Sequence, residues 1–398
     1  MSKEKLKTSF AKIKEKIQKK PIIAVLAVLC VFLLAVIVSA LTGKPQEPEI
    51  SPEIIAEEQI FLPEPKPEPE PTPKPQTKPG ELILPPEIIE AEEESDINYL
   101  TGLPIDAALV DNRPFAVTIN NMHRALPQSG IRQADIYYEA LAEGDITRFV
   151  LLFMEFDSEK IGPVRSTRDY YGAIALDNDA IYFHHGGSPG GYTFARTYLD
   201  AVDGMRDTQC YWRDPERYAI KSMIEHSSYT SAERIKDAVL RNEFRTKRGD
   251  PPYVRFDFYE NPATPEDSEK AESITVPFSG SQSPRFEYDE ELNVYWRFQA
   301  GGEHIDEETD EQISVTNIII QLASISVIDT QGRRQVDLVS NGAGYIITNG
   351  HIAPITWEKT GLDSPTEFFD AAGEPLKLNK GKTWICILQN TGVIKINE

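Results

Sequence analysis

Two arginines, Arg165 and Arg168, stand in the stretch KIGPVRSTRDYYG (160–172) of a chain with 41 basic and 63 acidic residues. Ser166 lies between them, and Asp169 follows it by three residues, which is the spacing of a capping box at a helix start. The first turn of a helix presents unpaired backbone N–H groups and the positive end of the helix dipole. Arginines at this position therefore predict a site for an anionic group such as a phosphate or a carboxylate.

A second helix start is predicted in the stretch IYFHHGGSPGG (181–191). Ser188 is a preferred N-cap residue, and the proline after it suits the first helical position. If the strands before the two helices are parallel neighbours, both helix starts lie at one sheet edge, where α/β proteins bind ligands. The predicted ligand-binding residues are Arg148, Arg165, Ser166, Arg168, His184, His185, Gly186, Gly187 and Ser188.

The alternative is that these residues are structural. Each arginine would then pair with a carboxylate such as Asp169 or Glu155, and Gly186-Gly187 would only form a tight turn. The sequence leaves both interpretations open. Nucleotide binding is not predicted, because the glycines lack a following Gly-Lys-Ser/Thr and the dinucleotide fingerprint spacing.

Acidic residues near a predicted strand end are secondary candidates. Glu139, Glu143 and Asp145 lie in YYEALAEGDITR, where they could act as acid–base groups or as cation ligands. Strand alternation places Glu139 and Glu143 on the same face for as long as the strand continues. His226 is a further candidate, although its serine neighbours do not predict a catalytic triad.

No metal site and no cofactor are predicted. His184 and His185 are adjacent on a predicted strand, so their side chains point to opposite faces and cannot both bind one ion. A divalent cation enters only under the enzymatic alternative given below.

The candidate residues are preceded by a predicted membrane segment. Residues 22–41 form an apolar run long enough for a helix to cross a bilayer. Residues 1–21 carry eight lysines and two glutamates, which predicts a cytoplasmic tail and an extracytoplasmic remainder. A cleaved signal peptide is the alternative, with VSA before Leu41 as the cleavage signal.

Residues 42–97 predict a disordered stalk. The stretch PEPKPEPEPTPKPQTKP (63–79) alternates proline with charge, which favours an extended polyproline helix and cannot form a core. The formal net charge of −22 argues against nucleic acid as a partner. The predicted partners are the membrane, through residues 22–41, and an anionic envelope lipid or polymer or a protein.

Two folded segments are predicted after the stalk. Residues 98–250 predict an α/β (or α+β) domain, with strands at 115–121, 136–143, 148–156 and 180–185. Its helices are expected after Ser166, over 190–202, and after a Thr230–Glu233 capping box. Residues 251–398 predict an antiparallel all-β domain, a sandwich or barrel, with a hairpin at Asn349-Gly350. Trp296, Trp357 and Trp384 are expected in the core, and a disulfide between Cys210 and Cys386 is left open.

Several motifs resemble the YerB-like family. They are LTGLP (100–104), RPFAVTINN (113–121), IGPVRSTRDY (161–170), HHGGSPGG (184–191) and LNKGKTWICI (378–387). Members are bacterial envelope proteins described as lipoproteins, with an N-terminal and a C-terminal part of unknown function. The resemblance implies a membrane-tethered extracytoplasmic protein of a Gram-positive bacterium, and no established activity. Because Cys30 lies mid-span without a small residue before it, the predicted tether is a helix and not a lipid.

We therefore expect a non-enzymatic envelope protein that binds a wall component or a partner protein. The alternative is a phosphoryl-transfer enzyme acting on lipid-linked wall polymers, because TRFVLLFMEF…IGPVRSTR is similar to the core of LytR-CpsA-Psr ligases. That resemblance implies arginines on a pyrophosphate and acidic residues on a divalent cation. Clustering of Arg148, Arg165 and Arg168 with the acidic residues would favour the enzyme, and separate salt bridges would favour the binding protein.

Overall fold

Residues 95–249 and 255–397 are the part of the chain described by the computed structural model. The predicted tail, the membrane segment and almost all of the predicted stalk lie outside it and stay predictions. The last three stalk residues, Ser95–Ile97, form a strand. Within the described residues, no helix has the length and apolar character needed to span a bilayer.

The first half of the described chain mixes short strands with helices. The strands are β1 (Ser95–Ile97), β2 (Pro104–Asp106), β3 (Phe115–Asn120), β4 (Ile136–Leu141), β5 (Thr147–Phe153), β6 (Ile181–His184), β7 (Ala201–Asp203), β8 (Trp212–Arg213) and β9 (Ser228–Tyr229). The α-helices are α1 (Asp169–Asp177), α2 (Pro189–Tyr198), α3 (Pro215–Ala219) and α4 (Ala232–Arg241), with 3-10 turns at His123–Ala125 and Lys221–His226.

The second half is built from strands, and its described residues 255–397 contain no helix, as predicted. The strands are β10 (Asp257–Phe258), β11 (Glu269–Lys270), β12 (Ser273–Thr275), β13 (Arg285–Asp289), β14 (Val294–Gln299), β15 (Gly302–Glu303), β16 (Ile305–Asp306), β17 (Glu311–Gln312), β18 (Ser314–Val315), β19 (Asn317–Val327), β20 (Arg334–Asp337), β21 (Asn341–Thr348), β22 (His351–Glu358), β23 (Glu367–Phe369), β24 (Lys377–Leu378), β25 (Thr383–Gln389) and β26 (Lys395–Asn397).

A twelve-stranded mixed sheet runs through both halves. Its main path is β11-β22-β21-β19-β25-β4-β5-β3-β6-β7, with β20 beside β19 and β23 beside β22. Strand β25 is parallel to both β19 and β4, so it hydrogen-bonds the second half of the chain to the first. The prediction that the second half is entirely antiparallel is therefore wrong, because β25 pairs in parallel with β19 and β10 with β24. A separate six-stranded antiparallel sheet contains β12 to β15, β18 and β26.

Strand β5 shows why the sheet is stable. All seven of its residues are buried, and alternate side chains enter two different cores, as the period of a strand requires. Phe149, Leu151 and Phe153 pack into the core on one face. Val150 and Leu152 pack into the core on the other face, which helix α1 covers.

The start of α1 differs from the prediction. Its N-cap is Arg168, which makes no side-chain capping bond, so the predicted capping box at Ser166 is wrong. The chain before the helix is held extended, because Arg165 N–H donates to the Thr118 carbonyl at 2.9 Å. Ser166 Oγ donates to the His185 carbonyl at 3.2 Å and is therefore not available as a cap.

Helix α2 starts as predicted but ends earlier. Ser188 caps it by accepting from the Gly191 N–H at 3.0 Å. The helix ends at Tyr198 and not near residue 202, because Ala201–Asp203 pair with β6 as the edge strand β7.

Helix α4 begins one residue later than its predicted capping box. Its N-cap is Ser231, which accepts from Arg234 N–H. Thr230 is buried and donates its hydroxyl to the Cys210 carbonyl at 2.8 Å, so it serves the adjacent loop.

Other sequence-level predictions have mixed outcomes. The hairpin is confirmed, with positive φ angles of 50° at Asn349 and 71° at Gly350 between β21 and β22. Trp357 and Trp384 are buried core residues, whereas Trp296 is half-buried and donates to Asp289 at 3.1 Å. Cys210 and Cys386 are both free and buried, so the disulfide left open is not formed.

Candidate functional site

The candidate site is the arginine cluster, defined as Arg148, Arg165 and Arg168 around the start of α1. Arg148 lies on β5 opposite Ala140 of β4, and its side chain leaves the sheet on the face that α1 covers. It donates from Nη1 to the Ser166 carbonyl at 3.0 Å, which ties the strand to the segment before the helix.

Two of these arginines share one carboxylate. Arg148 donates to Glu143 Oε1 at 2.6 Å, and Arg168 donates to the other oxygen of the same group. Burial tends to raise the pKa of Glu143, but the charges of both arginines and the hydrogen bonds from them outweigh it and lower the pKa. Burial and the nearby charge of Arg168 lower the pKa of Arg148. The pair of guanidinium groups is thus only half neutralised by this contact.

The first turn of α1 lies beside these groups and is uncapped. The backbone N–H groups of Asp169, Tyr170 and Tyr171 have no hydrogen-bond partner among the described residues. The Nε atoms of all three clustered arginines are also buried without a partner in that part of the chain. Helix N-termini and guanidinium groups both favour anions, so the cluster combines two kinds of anion donor.

Arg165 extends the cluster toward solvent. It pairs with Glu225 at 3.1 Å, and its other terminal nitrogen donates to the Glu225 carbonyl at 3.1 Å. If the arginines are structural, the sequence suggests Asp169 or Glu155 as their partners, and both assignments are wrong. The real partners are Glu143 and Glu225, which reach the cluster from the turn after β4 and from the Lys221–His226 turn.

The second helix start adjoins the first but adds little to the cluster. Thr167 and Gly187 form a parallel bridge, although the condition stated for a shared sheet edge is not met, because β3 lies between β5 and β6. The Gly186 N–H donates to Asp203 at 2.9 Å and is not free for a ligand. A Cβ on Gly191 would lie 2.8 Å from the Thr167 carbonyl oxygen, so the first turn of α2 packs directly on backbone.

His184 ends β6 and His185 follows it, and the two side chains contact different cores, in line with the predicted opposite directions: His184 lies against Tyr182 and His185 against Tyr211. His184 donates from Nδ1 to the Gly186 carbonyl at 2.8 Å on the helix-covered face. His185 contacts Ser228 Oγ through Nδ1 at 2.7 Å, and Arg213 donates to its Nε2 at 2.9 Å. Burial, followed by the charge of Arg213, lowers the pKa of His185 to about 4.

The Ser228–His185 contact was not found from the sequence, and it is not a catalytic dyad. Because Arg213 donates to Nε2, the proton of the neutral ring is on Nδ1, which donates to Ser228 Oγ. A ring nitrogen that carries a proton cannot accept one from the serine. The contact therefore holds His185 against the paired strands β8 and β9, which carry Arg213 and Ser228.

The predicted acidic residues do not lie together. Strand β4 ends at Leu141, and the turn after it carries Glu143 to the helix-covered face, so the same-face prediction for Glu139 and Glu143 is wrong. Glu139 is fully buried on the other face with Arg297 at 2.9 Å. Asp145 is exposed, and its carbonyl accepts from Ser279 at 2.8 Å.

His226 is also held by a structural contact. Its Nδ1 lies 2.7 Å from the amide nitrogen of Asn120, and the ring is buried. Within residues 95–249 and 255–397, no three His, Cys, Asp or Glu side chains are grouped as metal ligands.

Some site residues have no local sequence signal. Glu225 is 60 positions from Arg165, and Arg297 is 158 positions from Glu139. Neither lies in a recognisable motif, and only the folded chain brings the partners together. An enzyme would bring the acidic residues together with the arginines, whereas a binding protein would hold the arginines in separate salt bridges. Each clustered arginine has a salt bridge, and only Glu143 of the three acidic residues reaches the cluster.

Two protein-family models match the chain. The model described as "Protein of unknown function (DUF3048) N-terminal domain" matches residues 100–245, which include the whole arginine cluster. The model for the C-terminal domain of the same family matches residues 274–385.

A protein and a solved structure are also similar. The chain is 34% identical over 307 residues to "Putative lipoprotein YerB" of Bacillus subtilis, covering 75% of this chain and 88% of that protein. The crystal structure of the YerB protein from Bacillus subtilis matches with a TM-score of 0.65 and 31% identity, covering 75% of this chain and 99% of that one. The resemblance inferred from the motifs is therefore confirmed, and the chain belongs to the YerB-like DUF3048 family.

Proposed function

We propose that the protein is a membrane-anchored, extracytoplasmic envelope protein that binds an anionic group, such as a phosphate of an envelope lipid or polymer, at the arginine cluster. The location is supported by the lipoprotein description of the relative. The apolar run at residues 22–41 supports a single-pass helix with a cytoplasmic N-terminus.

The observation that carries the binding proposal is the uncapped start of α1 beside two arginines that share one carboxylate. The Arg148 side chain is 1% exposed, so its charge lies where screening by water is weak. Glu143 is 30% exposed and lies on the turn after β4. An incoming phosphate would displace this carboxylate and make contacts with the guanidinium groups and the helix N–H groups.

The cluster supports binding better than phosphoryl transfer. A transferase of that class needs acidic residues that hold a cation close to the phosphate-binding arginines. Here Glu139 is enclosed on the opposite face with Arg297, and Asp145 is exposed outside the cluster. The histidine nearest a serine hydroxyl, His185, donates to it and cannot act as its base.

Calorimetric titration of the detergent-solubilised full chain with inorganic pyrophosphate tests the binding proposal. Each charge-assisted contact contributes about 1.5–3 kcal/mol, so Arg165→Ala/Arg168→Ala should weaken pyrophosphate at least about tenfold. Arg168→Lys should also bind more weakly, because lysine lacks the planar fork. Arg285→Ala, on β13, is the control and should bind as wild type.

The same titration can reject the proposal. If the double variant keeps its thermal midpoint and binds pyrophosphate with wild-type affinity, the arginines are not ligand contacts. A large loss of thermal midpoint with unchanged affinity per folded molecule would assign them a structural role.

The topology has its own experiment. Protease treatment of intact cells should digest the chain after about residue 44 and spare the lysine-rich tail, because the tail is expected in the cytoplasm. Protection of residues 255–397 in intact cells would contradict this orientation.

A further inference from the structure

A cavity of about 650 Å³ lies beside the edge strand β7, away from the arginine cluster. It is bounded by α2, by the segment after β7 and by the chain at the end of α4. Its volume is within the range of about 300–1,000 Å³ that is usual for small-molecule sites. Its lining contains no residue of the arginine cluster, so it is a separate place on the protein.

Two arginines in the lining are unpaired. Neither Arg196 nor Arg206 has a side-chain salt bridge or hydrogen bond within the described part of the chain. Arg196 only lies over the ring of Tyr192, with its guanidinium carbon 5.0 Å from the ring centre. An anion in the cavity could therefore be bound by both guanidinium groups without breaking an existing ion pair.

The carboxylates in the same lining already have partners. Asp203 accepts from the Gly186 N–H at 2.9 Å and from the Met205 N–H at 3.0 Å. Asp207 accepts from Arg241 at 2.9 Å and from the Cys210 N–H at 2.9 Å. Arg241 neutralises Asp207, whereas Asp203 accepts only backbone N–H groups and keeps its charge. Two lining arginines against one charged carboxylate still leave the cavity with an excess of positive charge.

A buried acceptor contributes to the lining. His184 is 2% exposed, and its Nδ1–H donates to the Gly186 carbonyl. The remaining nitrogen, Nε2, carries a lone pair and has no partner among the described residues. Burial lowers the pKa of His184, which keeps the ring neutral and Nε2 an acceptor. A hydroxyl or N–H group of a ligand in the cavity can donate to this atom.

Apolar side chains complete the cavity. Leu199, Val202 and Phe244 line the cavity together with the two arginines and the histidine. We propose that the cavity binds a small organic carboxylate with an apolar body and one hydroxyl or N–H donor. Its carboxylate is bound by Arg196 and Arg206, its body by the apolar side chains, and its donor by His184 Nε2.

Titration of the full chain with 4-hydroxyphenylacetate tests this site, because the compound has all three features. Phenylacetate lacks the donor and should bind about two- to tenfold more weakly, as expected for one neutral hydrogen bond. The neutral alcohol 2-(4-hydroxyphenyl)ethanol lacks the carboxylate and should lose at least about tenfold. Arg196→Gln/Arg206→Gln should abolish the preference for the acid over the alcohol, whereas Arg285→Gln should keep it.

His184→Asn tests the acceptor. Asparagine can place a donor near the Nδ1 position, and so keep the bond to Gly186, but it has no group at Nε2. The variant should bind 4-hydroxyphenylacetate and phenylacetate equally. Absence of binding to wild type at about 10 mM, or equal affinity in wild type and the double arginine variant, would overturn the proposal. Pyrophosphate binding should be unchanged in all these variants, which separates this site from the arginine cluster.

Discussion

Two glutamates four residues apart, Glu139 and Glu143, pair with arginines on opposite faces of the same sheet. Glu139 is on β4 and is enclosed completely, whereas Glu143 follows the end of the strand and is partly exposed. The chemical pair is the same, but the surroundings differ in solvent access and in the number of arginines for each carboxylate. The comparison indicates which pair holds the fold together and which can exchange partners.

In the enclosed pair, Glu139 with Arg297, both carboxylate oxygens accept hydrogen bonds. Asn121 and Thr147 donate to one oxygen of Glu139, and Arg297 and Trp384 donate to the other. The guanidinium carbon of Arg297 also lies 4.3 Å from the centre of the Trp384 ring. Glu139 comes from the first half of the chain and Arg297 from the second, so the pair joins the two halves.

In the open pair, which is Glu143 with its arginines, one negative charge faces two positive charges. Glu143 is shared by Arg148 and Arg168, and the α1 N–H groups beside them have no partner in the described chain. A single carboxylate cannot satisfy this many donors. The open pair is therefore suited to exchange its carboxylate for a ligand anion, and the enclosed pair is suited to hold one arrangement.

The largest expected effect is that of Glu139→Gln. It leaves the Arg297 charge buried without a counter-charge, so the free energy of unfolding should fall by about 3–5 kcal/mol. Urea denaturation of the full chain measures this loss. A loss below about 1 kcal/mol would show that the enclosed pair does not hold the halves together.

A smaller loss is expected for Glu143→Gln. The variant leaves Arg148 and Arg168 facing each other without their shared carboxylate, which should cost about 1.5–3 kcal/mol in the same denaturation experiment. Solvent can reach this site, so the loss should be smaller than for Glu139→Gln. The opposite ranking of the two variants would contradict the comparison.

His304, which contacts Arg297 of the enclosed pair, should make the folded protein less stable at low pH. Burial and the charge of Arg297 hold the pKa of His304 well below its usual range. Below about pH 6.5, the unfolded chain binds a proton here that the folded chain does not, so stability falls with decreasing pH. His304→Gln should reduce the stability lost between pH 7 and pH 5 by about 1–2 kcal/mol. An unchanged pH slope would mean that His304 takes up its proton in the folded state.

The smallest change in the free energy of unfolding is expected for variants of Arg165 and Glu225, which form a salt bridge near solvent. Arg165→Gln and its matched control Glu225→Gln each remove one half of the same exposed pair, so each should change the free energy of unfolding by less than about 1 kcal/mol. Only Arg165→Gln should weaken pyrophosphate. Equal effects of both variants on pyrophosphate would remove Arg165 from the binding site.

Much of the framework was predictable, because it depends on local pattern. Strands β3 to β6, the helix after Ser188 and the Asn349-Gly350 hairpin all follow from side-chain alternation, capping or turn chemistry. The error at Ser166 has a physical cause that is not local. Its hydroxyl donates to the His185 carbonyl, so tertiary contact outweighed the capping pattern.

The partners of the candidate residues were not predictable. The sequence placed Arg165 and Arg168 at a helix start, where they are found, but it gave no means to choose Glu143 and Glu225 over Asp169 and Glu155. The face of Glu143 depends on where β4 ends, and a shift of one or two residues there reverses the direction of a side chain. Such details decide which residues form a site.

The most direct test measures how much pyrophosphate raises the free energy of unfolding in wild type, Glu143→Gln and Glu139→Gln. Stabilisation by a ligand depends on its concentration relative to the Kd. Removal of the competing Glu143 carboxylate should tighten pyrophosphate about tenfold and add about 1.4 kcal/mol to the stabilisation at a fixed high concentration. Glu139→Gln should show the wild-type increment despite its lower stability. Equal increments in all three proteins, or none, would contradict the claim that the open pair receives an anion.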